Sequence, residues 1–148
     1  MNDSKRGNGN IEKIFDEIIE FLRQLGWPSE AVSKKLIRTF FKGDFGINQV
    51  IIHINTSDIC MVIDPVVDRY DASWGEAVTS LIAAMSEEIQ HIGVGLDDDG
   101  DLFVKVNLPH EYVNLERFHC LLLSLCQVAE NMLLPVLQAN AFDRLKAA

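Results

Sequence analysis

Positive charge is scarce in this chain. Thirteen Lys and Arg stand against 22 Asp and Glu, leaving a net charge of −9 over 148 residues. A phosphate backbone or an anionic membrane is repelled by such a field unless a local basic patch overrides it. The candidates for a patch are Lys34, Lys35, Arg38 and Lys42, all in one segment. Nucleic acid and membrane are therefore not expected partners. No apolar run approaches the ~20 residues that span a bilayer. Met1 to Asn10 is polar, with no apolar stretch behind its charges, so it does not read as an export signal. Cysteines number three, Cys60, Cys120 and Cys126. The last two would stand roughly 9 Å apart along a helix, too far for a disulfide. The expectation is a reduced, cytoplasmic protein.

Catalytic signatures are missing as well. There is no Gly-x-Gly-x-x-Gly, phosphate loop or Gly-x-Ser-x-Gly. Asp97, Asp98, Asp99 and Asp101 invite a calcium reading. Counted from Asp97, the sixth and twelfth positions of an EF-hand loop fall on Leu102 and Leu108, where Gly and a bidentate acid are required. An acidic hairpin tip is the better reading. His110-Glu111 lacks the second His of a zincin motif, because Asn114 holds that place. His110 follows Pro109 and is expected to be solvated. His119, Cys120 and Cys126 do not have zinc-site spacing. Cys126 falls in an apolar stripe and Cys120 outside it, which predicts a buried and an exposed thiol. His53 and His91 are isolated. No metal, no cofactor and no catalytic residue is expected.

What is present is regular patterning. After a tail over 1–9, Asn10 is placed to cap a helix that Gly26 and Pro28 end. Ile11, Ile14, Phe15, Ile18, Leu22 and Leu25 recur along it at helical spacing. Ser29 to Lys42 fits both periods, Val32, Leu36 and Phe40 for a helix, Ile37, Thr39 and Phe41 for a strand; the strand is adopted. Val50, Ile52 and Ile54 alternate toward the turn Asn55-Thr56-Ser57-Asp58, and Ile59, Met61 and Ile63 alternate away until Pro65. Both faces of this hairpin are rather apolar, which predicts cover on both sides, at least in part. Ser73-Trp74-Gly75-Glu76 has the form of a capping box and opens a helix to Ile89. Ile92, Val94 and Leu96 then alternate toward an Asp99-Gly100 turn, and Leu102, Val104, Val106 and Leu108 away from it.

The last helix begins near Asn114, and Pro135 is expected to kink or end it. Leu115, Phe118, Leu122, Cys126, Ala129, Leu133 and Leu137 form one stripe, which Leu121, Leu125, Val128 and Met132 widen. That breadth fits a helix sunk deep in its own domain. It equally fits a helix whose flank meets another chain. On the second reading Leu121, Leu125 and Met132 are the interface candidates, with Phe118, Leu122 and Leu133 in the core. The order α-β-β-β-α-β-β-α gives an α+β domain over 10–148, an antiparallel sheet flanked by helices.

Several stretches resemble the YbjN-type domain of the type III secretion chaperone-like fold. They are Asp44-Phe45-Gly46-Ile47 with the hairpin that follows, Gly95-Leu96-Asp97-Asp98-Asp99-Gly100-Asp101-Leu102, and Glu116-Arg117-Phe118 through to Gln138-Ala139-Asn140-Ala141. The resemblance implies a non-enzymatic, protein-binding domain, commonly dimeric, acting as a regulator or adaptor. Its first alternative is a secretion chaperone that holds an extended effector segment. A small-ligand binding protein or an unrecognised enzyme is the other, and would need a closed pocket with convergent polar groups.

Overall fold

The computed structural model describes residues 3–43, 46–67, 92–96, 98 and 102–147; for 3–8, 132–147 and a few positions at strand ends, only the backbone is described. Helix α1 spans Asp3–Leu25 and is followed by β1 (Ser29–Ala31), β2 (Leu36–Gly43), β3 (Gly46–Ile54) and β4 (Asp58–Val67). Strands β5 (Ile92–Leu96) and β6 (Leu102–Pro109), a 3-10 turn at His110–Tyr112 and helix α2 (Leu115–Ala147) complete the chain. The strands form one antiparallel sheet in the order β1-β2-β3-β4-β6-β5. The α+β architecture expected from the sequence is therefore present.

The end of α1 follows from one glycine. Gly26 takes φ 76°, a left-handed conformation costly for a residue with a Cβ. Its N–H donates to the Arg23 carbonyl, and that of Trp27 reaches back to the Leu22 carbonyl at 2.9 Å. This is a Schellman ending, which satisfies carbonyls the helix leaves open. At the start of α2, Asn114 Oδ1 accepts from the Arg117 N–H at 2.8 Å, the N-cap that its position predicts.

Alternation along the strands divides the sheet into two faces. Ile37 and Thr39, Val50, Ile52 and Ile54, Ile59, Met61 and Ile63, and Val104, Val106 and Leu108 are buried on one face. Helices α1 and α2 cover it with Ile11, Ile14, Ile18 and Leu22 and with Phe118, Leu122, Leu125 and Ala129. The buried Thr39 hydroxyl donates to the Pro28 carbonyl at 2.6 Å, so its polar group is satisfied. On the other face Ile51, Cys60 and Val62 are half-buried while Gln49, His53, Lys105 and Asn107 are exposed, so cover of that side is partial.

Three local expectations are corrected. Helix α1 starts at Asp3, so Asn10 lies inside it and residues 3–9 are helical where a tail was expected. Each turn added ahead of Ile11 costs only local conformational entropy once the helix is nucleated by its docked half. The segment 29–42 is two strands and a turn, with the Val32 and Ser33 N–H groups both donating to the Leu36 carbonyl. Strand β4 runs past Pro65 to Val67, and the missing proline N–H coincides with a register shift between Ile63 and Val67. Of the two outcomes expected at Pro135, the helix ending is excluded, since α2 continues to Ala147. The expected Ser73–Ile89 helix, with His91, lies outside the described residues. So do Asp97, Asp99, Gly100 and Asp101. The hairpin they were read to close is present, with Leu96 paired to Leu102.

Candidate functional site

Among the described residues, the feature best suited to hold another molecule is a groove at the β1 edge of the sheet. Its volume is about 570 Å³, and it is lined by Ile11, Glu12, Phe15, Asp16, Lys34 and Lys35. Helix periodicity builds one wall. Ile11 and Phe15 are four residues apart and lie on the apolar face of α1; Glu12 and Asp16 follow each of them on the adjoining face. The other wall is the turn between β1 and β2, held by the two hydrogen bonds to Leu36 and by Ser33 Oγ accepting from the Lys35 N–H at 3.2 Å.

Chemically, the groove has an apolar floor between walls of opposite charge. Ile11 is buried and Phe15 half-buried. Glu12, Asp16, Lys34 and Lys35 make no ion pair among the described residues. Acids and lysines that face a groove unpaired can bond both to the N–H and C=O groups of a chain laid between them and to its charged side chains. Beside the groove, β1 is an edge strand with all three residues exposed, and Val32, just past its end, is 43% exposed. An edge strand presents unpaired backbone groups to an incoming strand.

The basic residues singled out from the sequence do not form one patch. Lys34 and Lys35 stand on the turn, whereas Arg38 and Lys42 lie on β2, on the face away from the helices. Arg38 there approaches Glu30 at 3.5 Å.

The interface candidates on the last helix fare unequally. Leu125 is fully buried within its own chain, so its assignment to a free flank is corrected. Leu125 and Val128 are buried in the same hydrophobic cluster as Phe118 and Leu122. Leu121 is half-buried and packs against the same core. The side chain of Met132 lies outside the described residues. Among the described side chains of this helix, Leu123, outside the predicted arc, is the large apolar residue left exposed, at 47%.

The groups considered for chemistry separate in space. Cys126 is buried and Cys120 exposed, as the stripe predicts. Burial, with help from Glu130, pushes the Cys126 thiol up to about 12, and burial also raises Cys60. Both are held as thiols, opposite to what a nucleophile or metal ligand needs. His110 is half-buried rather than solvated, which corrects its expected position. Its Nδ1 accepts from the Asn10 side-chain amide at 2.7 Å, and its Nε2 donates to the Asp58 carbonyl at 3.1 Å. It thereby ties α1 to the β3–β4 turn. Among the described residues, no group of three or more His, Cys, Asp and Glu could hold a metal, and no helix is long and apolar enough to cross a membrane. Asp98, the described residue of the acidic tip, is exposed.

Solved structures share this arrangement. The crystal structure of the ExsC–ExsE complex matches over 80% of this chain and 89% of that chain, with TM-score 0.58 and 18% identity. The fold is that of the type III secretion chaperones and YbjN. YbjN from E. coli matches over 86% of this chain and 92% of that chain, with TM-score 0.56 and 18% identity. The ExoU–SpcU complex of the type III secretion system of Pseudomonas aeruginosa matches over 78% and 94%, with TM-score 0.62 and 11% identity. No protein-family profile matches the chain, and no curated protein does. Within this chaperone-like fold the groove residues were not legible as a site. Their walls come from two elements that the sequence shows only as an amphipathic helix and a short turn.

Proposed function

We propose that this chain is a non-enzymatic, cytoplasmic protein-binding module that holds an extended segment of a partner protein in the groove between α1 and the β1–β2 turn. The observation that carries this reading is the groove itself: an apolar floor, unpaired charges of both signs on its walls, and an edge strand alongside. An extended segment can add main-chain hydrogen bonds at β1 while one apolar side chain fills the space over Ile11 and Phe15. β1 is only three residues long, so the groove must supply most of the affinity. Three of the structural neighbours support a protein partner, since they were solved as complexes of ExsC with ExsE, SpcU with ExoU, and SchA with HopA1. A regulator or adaptor and a secretion chaperone share this binding mode. They differ in the partner: a folded regulatory protein offering one loop for the first, an exported protein's unfolded segment for the second.

Site-specific photocrosslinking in cells tests this reading. A photoreactive residue at Val32 is expected to trap one partner through a short contiguous stretch of its sequence. The same residue at Ser124, exposed on α2, is expected to trap little. Equal trapping at both positions, or trapping confined to Ser124, would remove the groove from consideration.

A further inference from the structure

Like charges stand together on each wall of the groove. Glu12 and Asp16 are four residues apart on α1, the spacing at which equal charges repel across one turn. Lys34 and Lys35 are neighbours on the turn. All four residues are exposed. Elsewhere Arg23 is paired with Glu20 and Arg38 with Glu30. The groove charges join no such pair among the described residues. Two small repulsions are thus retained that contribute nothing to the fold.

The backbone holds these charges in place. The Ile54 N–H donates to the Lys35 carbonyl at 2.8 Å, and the Val32 and Ser33 N–H groups donate to that of Leu36. The turn is thereby tied to the sheet on both sides of its lysines. Burial of Ile11 and Ile14 sets the rotation of α1, which keeps Glu12 and Asp16 at the rim. A purely cationic segment laid in the groove meets Lys34 and Lys35. A purely anionic one meets Glu12 and Asp16, in a molecule of net charge −9. A segment with both signs beside an apolar residue meets an opposite charge on each wall.

We propose that the groove selects a zwitterionic partner segment. An apolar residue lies over Ile11 and Phe15, a basic residue reaches Glu12 and Asp16, and an acidic residue reaches Lys34 and Lys35. This specificity rests on the groove being the place where the partner lies. Ion pairs so exposed add little affinity; they act by rejecting segments of the wrong charge. The apolar floor alone would accept any exposed apolar side chain, so the walls supply the discrimination.

The test uses the full chain and a phage-displayed library of random short peptides. Selection is expected to enrich peptides in which an apolar residue has Lys or Arg and also Asp or Glu close by. A photoreactive residue at Val32 is expected to crosslink them. By fluorescence anisotropy, a synthetic copy of a selected peptide is expected to bind Lys34→Glu/Lys35→Glu about tenfold more weakly, with circular dichroism unchanged. Exchanging the peptide's acid for Lys is expected to restore binding to that variant and to weaken binding to the wild type. Equal binding of both peptides to both proteins overturns the charge selection. So do enriched peptides that are merely apolar yet crosslink through position 32, and these leave the groove reading standing. Peptides that crosslink elsewhere, or no enrichment at all, overturn both. If the variant loses its fold, the enriched sequences and their crosslink decide.

Discussion

Leu125→Glu is expected to unfold the chain rather than to release a folded monomer. Leu125 is fully buried, and so are its helix neighbours Phe118, Leu122 and Ala129. A carboxylate there would lose its hydration with no partner in reach, a cost of several kcal/mol even after its pKa rises to keep it neutral. The Leu side chain's own burial, worth about 2 kcal/mol, is lost as well. Together these approach the ~5–15 kcal/mol that hold a typical domain. Circular dichroism and urea titration read the result. A cooperatively folded Leu125→Glu protein would mean that α2 does not pack on the sheet along this face.

Phe118→Ala is expected to destabilise the chain by about 3–5 kcal/mol, the range for removing a large buried aromatic. Phe118 is fully buried and its ring meets Phe21 of α1, with centroids 5.8 Å apart and planes inclined at 38°. It therefore contributes to two contacts, α2 on the sheet and α2 on α1, and nothing nearby can refill both. The control is Leu123→Ala, at a position 47% exposed, where a change within about 0.5 kcal/mol is expected. The difference in urea midpoint at constant slope measures it. Equal effects at the two positions would contradict the orientation of α2.

Elements with a strong period and local punctuation were legible in the sequence. The apolar stripe of α1, the Gly26 ending, the Asn114 cap and the alternation in β3, β4 and β6 are all set by neighbours a few residues away. What depended on distant contacts was not legible. Leu125 lies at the side of its stripe, and only tertiary packing decides that the side is covered. Pro65 reads as a strand stop, yet the bulge that accommodates it is stabilised by the pairing of Val67 with Leu102. Gly43 gives no sign of its role. A Cβ there would overlap the Glu130 carboxylate, which also accepts from the Asn48 side chain at 3.1 Å. This anchors α2 on the β2–β3 hairpin across a separation that no local pattern reports. The groove was missed for the same reason. Lys34 and Lys35 were weighed as a basic patch within their own segment, while their counterparts Glu12 and Asp16 sit on another element.

The account rests on an extended partner segment docking at the β1 edge. The most direct test is hydrogen exchange of the chain with and without a synthetic peptide copying the stretch trapped through Val32. Binding is expected to slow exchange at the amides of Ser29 to Ala31 and Val32 to Lys35, and to protect the peptide's own backbone. Protection confined to β5 or α2, or a bound peptide whose amides exchange as freely as in solution, would contradict it.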